Sequence, residues 1–446
     1  MIRGARNHAR STAGLCIGSA LVLSLVAGCS RLPNAPRVAT AAHGAGGQGY
    51  GVLGGGSQGL MMMVRPGVSA DQVAADYGGT VVAAVPTLGL YRVALPVGDD
   101  VVRSAQALTG DSRVSEAEVN GLATVAESRQ SSVAFSEGSR SWRDVSDQGA
   151  LARVRAARAQ TAASGNGVLV AILDTGISLD HPALVGHLAL PGIEAGVTTS
   201  PGAERAQQVD TNHDGLMDGA LGHGTHVAGI VLAVAPRARL LPVRVLDSDG
   251  VGTAFDVANG IVLAVQRGAQ VINMSLGMNT NSTAVESAIR YARAQGAMVI
   301  APTGNDHLVH PEFPASMPEV FAVAGLDSID QHTWFTNYGA GTDLAAPSMG
   351  ILSTYFGGGY ARWSGTSMAA PFVAGTAALL YGMQLPAGPG TPALVEALLK
   401  VGAFALNTSD PTYASLLGAG RLDAAASLNA FNRPLSSIDT DPQRWK

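Results

Sequence analysis

The chain has 446 residues, of which 47% are hydrophobic and only 14% charged, and its formal net charge is −5. This length favours two folded units with tails, and the apolar content is enough for a sizeable core, so a wholly disordered chain is excluded. No basic run follows the first residues, so we expect no nucleic-acid partner.

The N-terminus has the pattern of an export signal. Three arginines within the first ten residues precede an apolar stretch, residues 15–27, that is short for a membrane span. This stretch leads into "VAGC", which resembles the bacterial lipobox, where the cysteine becomes the lipidated first residue of the mature chain. The resemblance implies a lipoprotein signal peptide over residues 1–28 and lipidation at Cys29. The alternative is an ordinary secretory signal that happens to contain Cys29.

The lipobox resemblance also sets the expected location. Lipid at Cys29 would hold the exported chain in the cell envelope, at the outer membrane or the cell surface if the cell is Gram-negative, and the membrane would then be a partner. An ordinary signal would instead give a secreted protein. Residues 29–58 are rich in Gly, Ala and Pro without an apolar period, which predicts a flexible tether. Because the other cysteine, Cys16, lies in the signal peptide, we expect no disulfide in the folded part.

Residues 59–120 have the pattern of a small α+β domain. Ser69 is suited to cap the first helix, and the order of elements is β-α-β-β-α-β, which is ferredoxin-like. With the segments "VRPGVSADQVAADYGG" and "VSEAEVN", this order resembles the inhibitor-type propeptide of subtilases. The resemblance implies a domain that assists folding of a protease domain and then occupies its active-site cleft; the alternative is an independent small binding domain. The predicted strands cover residues 60–64, 80–85, 88–95 and 114–119, and the predicted helices residues 70–75 and 101–108.

Residues 121–163 are mostly polar, small or rich in Ala and Arg, which predicts a linker with one helix at residues 154–163. We expect the maturation cut after Asn120 and before this helix. The composition does not fix which bond is cut.

Strands and helices alternate over residues 164–431, ahead of a tail at residues 432–446 that looks disordered. This βαβ series predicts an α/β domain in which helices cover both faces of a parallel sheet. In such sheets ligands bind at the carboxyl ends of the strands. The predicted strands cover residues 168–174, 239–246, 270–276, 297–302 and 320–324, and the predicted helices residues 223–234, 254–267 and 284–295.

Three residues at strand ends and helix starts are candidates for a catalytic triad. Asp174 ends an apolar strand, while His223 and Ser367 each open a helix. Taken singly, Asp174 and Ser367 are more readily capping residues and His223 a structural histidine. Taken together, the serine hydroxyl gains a base for its proton, and a buried carboxylate fixes the tautomer of that base. A helix N-terminus at Ser367 adds backbone N–H groups that can stabilise an oxyanion.

The order of these residues distinguishes families of serine hydrolase. Asp–His–Ser is the subtilisin order, whereas α/β-hydrolases run Ser–Asp–His and need G-x-S-x-G, in which Ala369 replaces the last glycine here. The segments "AILDTGISLDHP", "GHGTHVAG" and "SGTSMAAP" resemble the three subtilase signatures, and the likeness covers about residues 165–430. It implies a monomeric serine endopeptidase that needs no cofactor for its chemistry, forms an acyl-enzyme on Ser367, processes itself and cleaves proteins or peptides. The alternative is an inactive surface-binding lipoprotein that kept the fold.

Two further residues are assigned by the same resemblance. Asn305 in "APTGND" matches the asparagine that donates to the oxyanion, with the backbone N–H of Ser367 as the second donor. The alternative for Asn305 is a turn residue after a strand. His226 matches the non-catalytic histidine of the family and is left out of the site.

Substrate binding is assigned to one strand end. Ser275, Leu276 and Gly277 match the segment that binds the substrate main chain and walls the first specificity pocket. Met278 and Thr303 depart from the family pattern at this pocket, so the preferred substrate side chain stays open.

Residues 210–218 alternate oxygen-bearing side chains, with Gly215 at the sixth position, as in the first part of an EF-hand loop. The bidentate Glu expected at the twelfth position is replaced by Leu221. We expect calcium here as a structural ion; the alternative is a solvated acidic turn. The candidate ligands are Asp210, Asn212, Asp214, the carbonyl of Leu216, and Asp218.

Overall fold

The computed structural model describes residues 59–127, 134–137, 139–194, 202–383, 385–386, 388–407 and 409–432. The predicted signal peptide with Cys29, the tether and the tail beyond residue 432 lie outside this part. Within the described ranges, no helix combines the length and apolar character needed to cross a membrane.

The N-terminal domain is a four-stranded antiparallel sheet with two helices. Its strand order is β2-β3-β1-β4, which is the ferredoxin-like order expected from the sequence. The side chain of Ser69 accepts the N–H of Gln72 and caps the first helix as predicted. The elements are β1 (Leu60–Val64), α1 (Ala70–Asp76), β2 (Thr80–Val85), β3 (Leu90–Ala94), α2 (Val101–Thr109) and β4 (Val114–Val119).

The segment expected to be a linker has structure of its own. Arg155 has a left-handed backbone with φ 57°, so two short helices flank it where one helix at residues 154–163 was predicted. Leu151 and Val154 are buried in the core of the following domain, so this part is not a free spacer. The elements are β5 (Leu122–Thr124), β6 (Phe135–Ser136), α3 (Trp142–Ser146), α4 (Gly149–Arg153) and α5 (Ala156–Ala159).

The C-terminal domain contains a seven-stranded parallel sheet in the order β14-β13-β12-β11-β7-β9-β8. Its strands are β7 (Leu169–Asp174), β8 (Ile193–Glu194), β9 (Arg239–Arg244), β11 (Val271–Met274), β12 (Met298–Pro302), β13 (Phe321–Leu326) and β14 (Leu344–Pro347). Outside this sheet lie β10 (Val251–Thr253) and an antiparallel hairpin formed by β15 (Ile351–Tyr355) and β16 (Gly359–Trp363). The helices are α6 (His223–Val234), α7 (Ala254–Gln266), α8 (Thr283–Ala294), α9 (Thr366–Tyr381), α10 (Thr391–Gly402) and α11 (Ala424–Ala430).

Helices cover both faces of this sheet, as the alternation of elements predicted. On the central strand β7, Val170 and Ile172 pack into one apolar cluster with α6 and α9, while Ala171 and Leu173 pack into another with α7 and α8. This explains why β7 is apolar throughout, since a parallel strand buried on both faces has no solvent side. The carboxyl ends of the strands and the first residues of α6 and α9 carry the predicted catalytic residues.

Candidate active site

Asp174 and His223 form the first half of the predicted triad. Asp174 is the last residue of β7, His223 is the first of α6, and both side chains are fully buried. His223 Nδ1 lies 2.8 Å from Asp174 Oδ1, which also accepts the N–H of Thr175 at 2.7 Å. The carboxylate therefore keeps a proton on Nδ1 and leaves Nε2 of His223 to act as the base.

Ser367 is the second residue of α9 and is held against the end of β11. The hydroxyl of Ser275 donates to the carbonyl oxygen of Ser367 at 3.0 Å, and Ser367 Oγ lies 3.4 Å from the carbonyl oxygen of Ser275. These contacts anchor the nucleophile to the sheet. Ser275 thus positions the nucleophile, a role beyond its predicted contact with substrate.

Asn305, two residues beyond Thr303 after β12, has an amide whose orientation is set by Thr366. Both the backbone N–H and the hydroxyl of Thr366 donate to Asn305 Oδ1, at 2.9 and 2.8 Å. The Nδ2 group must therefore point the other way, into the cleft. The sequence reasoning missed Thr366, although its place next to the predicted nucleophile was visible.

One residue that the sequence did not single out, Glu127, lies in this site. Its Oε1 accepts from Asn305 Nδ2 at 3.0 Å and from the Ser367 N–H at 3.3 Å, which are the two predicted oxyanion donors. Its Oε2 accepts from Ser367 Oγ at 2.7 Å and lies 3.3 Å from His223 Nε2. A Cβ added at Gly365 would lie 1.8 Å from Oε1, so a glycine is needed there while the carboxylate is bound. The Glu127 carboxylate therefore contacts every group that the chemistry would use except Asp174.

The charges of this cluster support one another. Burial opposes the imidazolium form of His223, but the charge and hydrogen bond of Asp174, with those of Glu127, outweigh it and raise the pKa of His223 to about 10. Burial likewise opposes ionised Glu127, yet hydrogen bonding and the charge of His223 leave the pKa of Glu127 below its ordinary value. The site is thus an ion pair of imidazolium and carboxylate across the cleft.

A second buried carboxylate, Glu204, ties the end of β7 to the start of α6. Its Oε1 accepts from Thr175 Oγ1 at 2.6 Å and from the Gly222 N–H at 2.8 Å, while the hydroxyl of Thr225 bonds to Oε2. Burial, with a smaller contribution from the charge of Asp174, raises the pKa of Glu204 to about 7 despite these hydrogen bonds. Glu204 thus joins the residue after the catalytic Asp to the helix that begins with the catalytic His.

His226 has a structural environment. Its Nε2 lies 3.0 Å from the carbonyl oxygen of Ile351 and 3.1 Å from that of Ala361, so Nε2 carries the proton. Burial, together with the charge of His223, lowers the pKa of His226 to about 3. A neutral ring bonded to the hairpin agrees with leaving His226 out of the catalytic set.

Residues 122–127, hereafter the cleft segment, lie across the site, as the strand β5 over residues 122–124 and as a turn at residues 126–127. β5 pairs antiparallel with β10 on one side, and on the other Thr124 exchanges backbone hydrogen bonds with Gly277 at 2.9 and 2.8 Å. The N–H of Val125 donates to the carbonyl oxygen of Gly250 at 3.0 Å. Gly277 thus binds the main chain of the cleft segment, whereas the side chain of Leu276 is buried in the core. Binding of substrate by these residues stays a prediction. The cleft segment has the hydrogen bonding expected of an extended substrate.

The N-terminal domain docks next to this segment through the ends of two helices. The Glu118 carboxylate accepts from Ser282 Oγ at 2.7 Å and from the first two backbone N–H groups of α8 at 3.0 and 3.1 Å. Asn120 Oδ1 accepts the N–H of Phe255 in α7 at 3.0 Å. A carboxylate at a helix N-terminus is favourable because the backbone N–H groups there lack helical partners. These contacts fix where the chain enters the cleft.

The loop proposed for calcium is held by its own hydrogen bonds. The Asp218 carboxylate accepts backbone N–H groups from residues 207, 208 and 209 and the hydroxyl of Ser248, so it is turned away from the predicted ligand set. Asn212 Oδ1 and Asp214 Oδ1 accept N–H groups two residues ahead, as in Asx turns. Among the residues that the structure describes, no three or more His, Cys, Asp or Glu side chains are grouped to hold a metal ion. The five candidate ligands do not assemble as predicted, and calcium here stays a prediction.

Known proteins resemble this chain in two regions. The subtilase family (peptidase S8) matches residues 165–420, and the N-terminal prodomain of fervidolysin matches residues 63–120. Thermitase of Thermoactinomyces vulgaris is 40% identical over 238 residues, which are 51% of this chain and 80% of thermitase. Subtilisin BL of Lederbergia lenta is 40% identical over 240 residues, which are 52% of this chain and 82% of that protein.

Among solved structures, the fold resembles fervidolysin from Fervidobacterium pennivorans, described as a keratinolytic enzyme related to subtilisin. The TM-score is 0.68 at 24% identity, and the match covers 85% of this chain and 61% of fervidolysin. This likeness concerns the fold alone. The family match over residues 165–420 shows that the chain belongs to the subtilase family of serine endopeptidases, and the match over residues 63–120 shows that it carries a prodomain ahead of its catalytic domain.

Proposed function

We propose that the chain is made as a latent precursor, cuts itself next to its prodomain, and then hydrolyses peptide bonds in proteins through an acyl-enzyme on Ser367. The observation that supports this most directly is the position of Glu127. Its carboxylate lies on both oxyanion donors and on the nucleophile, three residues after a strand, β5, that pairs with β10. A cleft so occupied has no room for a second chain, so the precursor is inactive until the cleft segment leaves.

The chemistry of the emptied site follows from its geometry. His223 Nε2 takes the proton of Ser367 Oγ as that oxygen attacks the substrate carbonyl carbon. Asn305 Nδ2 and the Ser367 N–H donate to the oxyanion, where Glu127 Oε1 now lies. His223 then gives its proton to the leaving amine, and the peptide bond breaks to leave an ester on Ser367. A water molecule, deprotonated by the same imidazole, hydrolyses the ester and restores the enzyme.

The test compares the purified wild-type precursor with its Ser367→Ala variant. We expect the wild type to convert to a shorter mature form that a serine-directed fluorophosphonate labels, and the variant to stay full-length and unlabelled. Glu116→Gln, in an exposed part of β4, is a control that should process like the wild type. A wild type that neither shortens nor takes the label would refute the enzyme proposal and favour an inactive binding protein.

We further propose that lipid on Cys29 holds the protease in the cell envelope. The support is the "VAGC" sequence after the apolar stretch. Cys29→Ser should release the protein from the membrane fraction, whereas Cys16→Ser, within the signal peptide, should leave it bound. If Cys29→Ser stays membrane-bound to the wild-type extent, the chain is not anchored through this cysteine.

A further inference from the structure

Two glycines flank a slot beside the oxyanion donors. Gly277 lies two residues after Ser275, whose carbonyl oxygen is 3.4 Å from Ser367 Oγ, and Gly304 immediately precedes Asn305. Gly304 has φ +105°, a conformation that side chains other than glycine rarely adopt. A substrate residue whose carbonyl oxygen occupies the oxyanion position must place its own side chain near these two glycines.

The carboxyl group of Glu312 lies in this slot. A Cβ added to Gly277 would be 2.0 Å from Glu312 Oε1, and a Cβ added to Gly304 would be 3.0 Å from the same oxygen. One carboxyl group is thus in contact with both glycine walls. The residue is buried, with 9% of its surface exposed.

The backbone around Glu312 fixes this position. The N–H of Glu312 donates to the carbonyl oxygen of Thr303 at 3.0 Å, on one wall of the slot. The carbonyl oxygen of the next residue, Phe313, accepts the N–H of Met278 at 2.7 Å, on the other wall. Residues 312–313 therefore connect the two walls and close the slot. The main chain that carries the carboxyl group is thus held by hydrogen bonds to the segments that follow β11 and β12.

We propose that Glu312 determines the specificity of this protease, and that it favours cleavage after Lys and Arg over cleavage after aromatic or acidic residues. The inference rests on the proposed endopeptidase function. A long cationic side chain can lay its apolar stem between walls that have no Cβ and bring its charge to the carboxylate. An aromatic ring would have to displace the carboxyl group, and an acidic side chain would bring a like charge to it where little water can screen the repulsion.

The cleft segment is consistent with this preference. Residues 122–127 read Leu-Ala-Thr-Val-Ala-Glu and include no Lys or Arg. Under the proposed specificity this sequence is bound through its main chain but is a poor substrate. It can therefore remain in the cleft of the precursor rather than be cut at once.

The test uses mature enzyme and tetrapeptide p-nitroanilides that differ only in the residue before the anilide: Lys, Arg, Phe, Leu or Glu. The active-enzyme concentration comes from fluorophosphonate titration. We expect kcat/KM for Lys and Arg to exceed that for Phe at least ~10-fold, and Glu312→Gln to remove roughly 10- to 100-fold of the activity on Lys and Arg, as expected for a charge-assisted hydrogen bond. Glu312→Gly, which empties the slot, should raise kcat/KM for Phe.

Two controls keep the outcome decisive. Glu319→Gln, which removes an outlying ion-pair partner of Arg290, should leave the order of substrates unchanged. Glu312→Asp keeps the charge and should retain a preference for cations. Two results would overturn the specificity proposal alone. One is a wild-type enzyme that is fully active by fluorophosphonate titration but prefers Phe or Leu; the other is a Glu312→Gln variant that loses activity equally on all five substrates. Absence of both labelling and cleavage in the wild type would overturn it together with the proposed function.

Discussion

Removing the charge of Glu127 should accelerate maturation. In the Glu127→Gln variant one oxygen remains to accept from Asn305 and the Ser367 N–H, but the amide nitrogen that replaces the other oxygen cannot accept from Ser367 Oγ. The ionic contact with His223 at 3.3 Å is also removed. The change therefore weakens the hold on the cleft segment without altering its β pairing.

The size of the effect follows from the hydrogen bonds that the substitution removes. A hydrogen bond to a charged group contributes about 1.5 to 3 kcal/mol, so the open form of the precursor should become roughly 10- to 150-fold more populated. Desolvation of the carboxylate offsets part of this gain, because a neutral amide costs less to bury than the charged carboxylate of Glu127. We therefore expect an increase in the processing rate nearer the lower end.

The assay follows loss of the full-length band on a gel at fixed pH. The precursors are purified in their latent form, and processing is started by dilution into buffer. Glu116→Gln is the matched control, since it removes an exposed Glu of the prodomain. Fluorophosphonate labelling of Ser367 over the same time course reports access to the site directly. Equal processing and labelling rates for wild type and Glu127→Gln would refute the reasoning that this carboxylate keeps the precursor latent.

Three other predictions concern the same site. Asn305→Ala in the mature enzyme should lower kcat by roughly 10²–10³ with little change in KM, because it removes one oxyanion donor. A rise in KM of similar size with kcat unchanged would instead argue for a substrate-binding role. The pKa of Glu204 is higher in the folded than in the unfolded protein, so the free energy of unfolding of the Ser367→Ala variant should fall as pH rises from about 4.5 through about 7. Adding Glu204→Gln to that variant should abolish the fall in denaturant titrations. Against the effect of burial, Asp174 and then Glu127 raise the pKa of His223 to about 10 in the closed precursor, so the part of this rise that comes from Glu127 stabilises the closed form at lower pH and is lost as pH rises towards 10. Processing should therefore speed up over that range, and Glu127→Gln should reach its half-maximal rate at lower pH; coincident profiles would contradict this.

The fold was predictable because its signals are local. The apolar run before Asp174 and the glycine ahead of His223 mark a strand end and a helix start, and the structure has β7 and α6 at those places. The linker prediction failed in part because α4 and α5 are short and gain stability from burial, which composition does not reveal. The helix predicted at residues 154–163 is interrupted at Arg155, which has a left-handed backbone conformation, and an arginine gives no sequence signal of such an interruption.

Three short motifs were enough to select the residues that meet at the candidate site, whereas the carboxylates around them were not predictable. Glu127, Glu204 and Glu312 come from segments without a motif and reach the site only through tertiary packing. The loop predicted to bind calcium is a different case, and calcium there stays a prediction. Its spacing of oxygen ligands is real, but Asp218 is used to hold backbone N–H groups instead of facing the other candidates.

The strand pairing of residues 122–127 has a consequence for what the mature enzyme can attack. A chain that replaces this segment must be extended over about four residues, roughly 13 Å, and must leave its own secondary structure to pair with β10 and Gly277. For a folded target, the free energy of opening that stretch locally adds to the cost of binding. Among bonds that follow the same side chain, susceptibility should therefore follow the local stability of the target, so that frayed termini and long surface loops are cut well before helices and sheet interiors.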